Sequence, residues 1–122
     1  MLNLVIARLL DIGYELQADV PLIDYIIRSK EQDIKNFCNT GNVPKGLTYK
    51  LVDAVCGEFL HLKKSAGQLG DNFDFKRAVT SIKEGDVQIQ FNDGTAFEEQ
   101  FDMLISSMRN IDTSSQIGRA HV

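Results

Sequence analysis

The side chains in this chain that can do acid–base, nucleophilic or metal chemistry are few and scattered. There are two histidines, His61 and His121. His61 stands between Leu60 and Leu62 in an apolar-periodic stretch, where a partly exposed or hydrogen-bonded structural imidazole is expected rather than a general base. Cys38 and Cys56 fall on or near apolar faces, and neither has a second Cys or His at ligand spacing. They read as small hydrophobes, not as a disulfide or metal pair, and no cofactor is implied. Glu98 and Glu99 are adjacent and diverge on a helix, so they cannot act as an acid/base pair; near a helix N-terminus they favour the dipole instead. Gly41 and Gly46 flank Pro44-Lys45, but a phosphate loop needs Gly-Lys-Ser/Thr opening a helix after a strand, and this stretch follows a helix. No catalytic constellation can be assembled, so the chain does not read as an enzyme. One polar motif is left over, Lys83-Glu84-Gly85-Asp86, which by itself reads as a solvated turn.

The totals narrow the partner class. Thirteen basic against seventeen acidic residues give a net charge of -4, and no Lys/Arg run exceeds Lys63-Lys64. A general nucleic-acid binder needs a concentrated basic face to displace counterions, so that class is disfavoured. The apolar start, Met1 to Leu10, is broken by Arg8, lacks a basic leader and is far short of the ~20 residues that span a bilayer. A length of 122 residues suits one domain, and two lone thiols suit a reducing cytoplasm.

These residues must be positioned by helices. Residues 19–64 hold two apolar-periodic segments joined by a short polar link. In the first, Ile23, Ile26, Ile27, Ile34, Phe37 and Cys38 recur at helical spacing. In the second, Leu47, Leu51, Val55, Phe59 and Leu62 form a stripe widened by Val52, Ala54, Cys56 and Leu60, which predicts the more deeply buried helix. Asn39 to Gly46, with Pro44, ends one helix and starts the next. Helix-turn-helix DNA reading is disfavoured, because the second helix is broadly apolar rather than studded with base readers.

Residues 2–11 form a first helix stopped by Gly13, and Ile12, Tyr14 and Leu16 cover the gap to the next, which Asp19 caps with Pro21 in the first turn. After a polar run at residues 65–72, Phe73 and Phe75 return the chain to the core. From Thr80 the period becomes two: Val87, Ile89 and Phe91 alternate with Asp86, Gln88 and Gln90, the pattern of a strand that pairs with residues 80–83 across a turn near Gly85. Thr95 and Glu98 make a capping box for a last helix with Phe97, Phe101, Leu104, Ile105 and Met108 on its stripe. The expected fold is mainly α, a small helical bundle of a three-helix core plus a C-terminal helix, with a short β-hairpin or extended strand between helices three and four. Residues 1–110 would be one domain and residues 111–122 a disordered tail. Ile117-Gly118-Arg119-Ala120-His121-Val122 reads, through plausible codons, as a translated sequencing adaptor and is set aside from the fold.

Ile34-Lys35-Asn36-Phe37-Cys38-Asn39, Val43-Pro44-Lys45-Gly46-Leu47 and Leu51-Val52-Asp53-Ala54-Val55-Cys56-Gly57 resemble the middle of the small head-tail connector (adaptor) proteins of long-tailed bacteriophages and prophages. Ser81 to Phe91 resembles the extended segment that follows the helices in that family, and Phe101-Asp102-Met103-Leu104-Ile105 its last helix. The resemblance covers roughly residues 20–110 as an order of elements, with short and degenerate words. It implies a structural virion protein of the neck, assembled in the host bacterial cytoplasm as a homo-oligomeric ring beneath the portal. Its partners would be itself, the portal and downstream neck or tail proteins, with DNA passing through the channel and no sequence-specific contact. Lys83, Glu84, Gly85, Asp86, Val87, Ile89 and Phe91 are the implied subunit or portal contacts, offered as an exposed strand edge. The alternative is a small cytoplasmic helical protein-binding or regulatory module.

Overall fold

The computed structural model describes residues 1–38, 41, 45–85 and 89–110. Five helices follow in order: α1 (Leu2–Ile12), α2 (Val20–Cys38), α3 (Thr48–Ser65), α4 (Phe75–Lys83) and α5 (Phe97–Arg109), with a 3-10 turn at Lys45–Leu47 leading into α3. No described residue lies in a strand. The mainly helical bundle is as expected; the hairpin is not.

Helix α3 occupies the middle because it is apolar nearly all round. Leu51, Val52, Ala54, Val55, Cys56, Gly57, Phe59 and Leu60 are all buried along it, a pattern that only a helix covered on several sides can satisfy. Helices α1, α2 and α5 pack directly on α3, and α4 lies across α1 and α5. Helices α3 and α5 approach closely at Gly57. A Cβ there would sit 2.8 Å from the Met108 Cβ, 2.9 Å from the Arg109 backbone N and 3.0 Å from the Ile105 carbonyl oxygen, so two backbones meet where no side chain fits. Leu62, expected on the buried stripe, is 41% exposed, since it lies near the end of α3.

Local chemistry explains the ends of the first two helices. Val5, Leu9 and Ile12 bury one face of α1, and Gly13 closes it at φ 105, a left-handed conformation that costs a glycine little. The Gly13 N–H donates to the Leu9 and Leu10 carbonyls and the Tyr14 N–H to Leu9. Tyr14 then enters the core, 5.2 Å from the Phe59 ring, edge to face. Ile23, Ile26, Ile27 and Ile34 are the buried side of α2. The side chains of Phe37 and Cys38, and all of residues 111–122, lie outside the described residues.

The expected strand pairing fails at its first strand. Residues 80–83 complete α4, whose Asp74 N-cap carboxylate accepts the Arg77 N–H at 3.0 Å. Phe75, Ala78, Val79 and Ile82 recur at helical spacing, and the last three are buried. A strand would have put Val79 and Ile82 on opposite faces, so the helix buries more apolar surface. Residues 86–88 lie outside the described residues, while Ile89 and Phe91 lean on the core from an irregular segment. Alternation here marks two half-buried side chains, not a paired edge.

The capping box at Thr95 is also corrected. Ala96 is the N-cap of α5 and makes no side-chain cap bond. Thr95 lies one residue too early, and its Oγ1 donates to the Asn92 carbonyl at 2.7 Å instead. An aromatic cluster joins this end of the bundle: Phe73, Phe75 and Phe101 stand 5.2 to 5.4 Å apart, ring centre to ring centre.

Two substitutions test this packing by urea unfolding. Phe59→Ala should cost about 3–5 kcal/mol, the range for a fully buried aromatic. Gly57→Ala should also lower stability, by about 1–3 kcal/mol of overpacking, although alanine is the better helix former. Unchanged stability in Gly57→Ala would mean that α3 and α5 are not in backbone contact.

Candidate functional site

Residues with chemical potential are spent on structure in three clusters. In the first, Asp19, 3% exposed, accepts from the Tyr14 hydroxyl at 2.6 Å and the Gln17 N–H at 3.0 Å, and pairs with the Lys63 ammonium at 2.6 Å. Asp19 stands at the expected N-cap position of α2, its carbonyl accepting the Ile23 N–H at 2.9 Å, while its side chain ties the α1–α2 link to α3. Burial alone would raise its carboxyl pKa, but the bonds from Lys63, Tyr14 and Gln17 outweigh this and hold it below the ordinary 3.8. The Tyr14 hydroxyl is pushed up, first by burial and then by its bond and proximity to Asp19.

In the second cluster Glu58 joins α2 to α5. It lies 3.6 Å from the Lys30 Nζ and 2.9 Å from the Arg109 Nε, the latter close in charge but not aligned as a hydrogen bond. The Lys30 ammonium also donates to the Arg109 carbonyl at 3.4 Å, a cation placed at the α5 C-terminus. In the third, Lys64 pairs with Asp102 at 2.8 Å and Glu98 at 3.3 Å. The Asp102 bond leads in raising the Lys64 pKa, against a smaller opposing effect of burial. Glu98 is thus a helix-bridging partner, and Glu99 is exposed beside it.

His61 is half-buried on α3. Cys56 is fully buried, its thiol 3.7 Å from the Val5 carbonyl. Burial pushes that thiol pKa well up, Asp53 adds to it and Arg8 opposes it, so the group is held as the neutral thiol. Among the described residues no group of three or more His, Cys, Asp or Glu could hold a metal ion.

The residues expected at an interface do not share one edge. Lys83 and Glu84 are exposed at the end of α4, Gly85 is half-buried, and Ile89 and Phe91 are half-buried against the core. Asp86 and Val87 lie outside the described residues. Lys83 and Phe91 do come together, the ammonium 4.7 Å from the ring centre.

A cleft beside Gly85 was not foreseen. Arg8 stands at its middle, 3.3 Å from Asp53 and donating to the Ser81 carbonyl at 3.4 Å. On one side a depression of about 630 Å³ is bordered by Lys76, Arg77, Thr80 and Ser81. On the other a recess of about 300 Å³ is lined by Leu4, Ala7, Tyr49 and Val52. Both share Arg8, Asp11 and Gly85. Leu4 and Tyr49 are 45% and 74% exposed. The exposed Tyr49, one turn before the buried Val52, was the only hint of this face in the sequence.

Compared with known protein families, curated proteins and solved structures, the chain has no significant match. Among the described residues no helix is long and apolar enough to cross a membrane.

The Asp19 cluster makes a pH prediction. A carboxylate whose pKa is lower in the folded than in the unfolded chain adds stability above the unfolded value, and that stability is lost as pH falls through the folded value. Asp19→Asn should therefore be less stable than wild type by about 3–5 kcal/mol at neutral pH, the cost of breaking a buried pair. The gap should shrink as pH drops below the ordinary carboxylate range. Thermal unfolding of both proteins against pH checks this, and a gap that widens on acidification would contradict the assignment.

Proposed function

We propose that this protein is a head-tail connector subunit, a structural virion protein that assembles as a ring beneath the portal and forms part of the DNA channel between capsid and tail. One observation carries the reading. Four of the five stretches that resemble the connector family run from the end of α2 through the 3-10 turn into α3 and continue in α5, whereas Ser81 to Phe91, expected as an extended segment, begins inside α4. They include Gly57, where the α5 backbone lies against α3, and the buried Phe101, Leu104 and Ile105 that face the bundle core. The likeness therefore falls on residues that decide how helices cross, which is where a shared architecture constrains sequence most.

Subunits would meet head to tail, a heterologous contact that closes a ring when the rotation per subunit divides the circle. Weak single contacts then add up through repetition. The contact centres on the exposed Lys83 and Glu84, followed by Gly85, Asp86 and Val87, with Ile89 and Phe91 supporting from behind. The exposed element is the end of α4, so side chains rather than a bare strand edge would carry the affinity.

The test uses portal-bearing, DNA-filled capsids expressed from the gene cluster that encodes the protein. Added protein should appear as a ring on the portal vertex by electron microscopy. Reversing both charges, Lys83→Glu with Glu84→Lys, should cut ring formation by about ten-fold or more, since misplaced charges at a contact cost several kcal/mol. Capsids that stay bare with the unaltered protein would overturn the proposal.

A further inference from the structure

Three helix ends meet at one buried carboxylate. Helix α1 stops at Gly13, where the Tyr14 N–H reaches back to the Leu9 carbonyl and the Gly13 N–H to that of Leu10, both at 3.0 Å. Helix α3 stops in the same way. Gly67 has φ 70, the Gln68 N–H donates to the Lys63 carbonyl at 2.8 Å, and the Gly67 N–H donates to that of Lys64 at 3.0 Å. These are two copies of one motif, in which the residue just past the glycine ties back to the last turn. Tyr14 supplies the N–H that closes the first copy, and Lys63 the carbonyl that closes the second. The side chains of both then converge on Asp19, which starts α2: the Tyr14 hydroxyl donates to it at 2.6 Å and the Lys63 ammonium pairs with it at 2.6 Å.

The contacts close on themselves. The Lys63 ammonium lies 5.7 Å from the Phe59 ring centre, Phe59 meets Tyr14 edge to face, and Tyr14 returns to Asp19. The same ammonium donates to the Gln68 side-chain oxygen at 3.3 Å, so Lys63 holds the segment after α3 by its backbone and by its side chain. Asp19 is buried, and a carboxylate that loses its ammonium there stays out of water without its counter-charge. Loss of one contact raises the cost of keeping the others, so such a group opens as a whole rather than bond by bond.

Outside this group a crevice of about 290 Å³ separates Gly13, Glu15 and Gln17 from residues 69–73. Its two walls are the segments that follow the two stops. We propose that Asp19 and Lys63 form a conformational clasp, through which the α1–α2 link (residues 13–19) and the segment after α3 (residues 66–73) open and close as one unit, with the crevice as the seam between them. The inference concerns the intact chain and rests on neither the ring nor the portal.

Native-state hydrogen exchange followed by NMR, at low concentrations of urea, reads the opening of each amide in the full chain. The Tyr14 and Gln68 N–H groups should share one opening free energy and one shallow urea dependence, both below those of the Val55 and Phe59 N–H groups in the middle of α3. Tyr14→Phe keeps the ring and removes only the hydroxyl. It should speed exchange of the Gln68 N–H by about ten-fold, the effect of one hydrogen bond to a charged group, although Gln68 belongs to the other segment. Lys63→Met should speed both amides by more, while Lys76→Met on the exposed face of α4 leaves them unchanged. Thermal melts establish that each variant is folded. If Lys63→Met unfolds, Gln68→Ala takes its place and should speed the Tyr14 N–H in return, because coupling between two sites is reciprocal. Different opening free energies at Tyr14 and Gln68, a Tyr14→Phe effect confined to residues 13–19, or the steep urea dependence of the core at both amides would each overturn the proposal.

Discussion

The close crossing of α3 and α5 at Gly57 is the constraint on which the other packing depends. With two backbones this near, Met108 and Ile105 reach the α3 surface, and the long buried run from Leu51 to Leu60 is covered along that side. The remaining circumference of α3 must then be covered by α1 and α2. Dispersion and hydrophobic burial both reward this closeness, because contact energy falls steeply with separation. Glycine weakens the isolated helix by about 1 kcal/mol relative to alanine, a loss the tight interface offsets.

Charged pairs tie the margins of this apolar centre and select one arrangement of the helices. Glu58 meets cations from α2 and α5, Arg8 links α1 to Asp53 on α3, and Lys64 meets two carboxylates of α5. All but the Asp19 pair keep some contact with solvent, so each contributes modestly. The Asp19 cluster differs because its carboxylate is out of water and receives three donors. Removing one partner there strands the others, and the cost follows from that asymmetry rather than from the pair's own net value.

Helix α4 sets the shape of the face that carries the cleft. It rests on α1 and α5 without touching α2, and its short length leaves a cleft between itself and α1. That placement turns the residues after Thr80 from a free strand edge into a helix end whose exposed groups are Lys83 and Glu84. The proposed contact there would read side-chain charge and shape rather than backbone hydrogen bonds.

Periodicity in the sequence was enough to determine α1, α2, α3 and α5, because apolar residues at helical spacing have one economical way to leave water. It also determined the end of α1 at Gly13, where only a positive φ was needed. The core residues Ile27, Ile34, Leu51, Val55, Phe59, Phe101 and Leu104 were legible for the same reason and are all buried. Helix α4 was equally written in Phe75, Ala78, Val79 and Ile82, but the alternation of Val87, Ile89 and Phe91 favoured a strand and a partner for it. A short window cannot say whether alternate residues pair with a strand or lean on helices already present. Tertiary structure alone decided the rest. Asp19 bonds to Lys63 on α3, Gly57 is needed only because α5 passes there, and Arg8, Tyr49 and Lys76 come from three separate helices to border one cleft. Those relations link residues far apart in the chain, and no local pattern encodes a distance that exists only once the helices have packed.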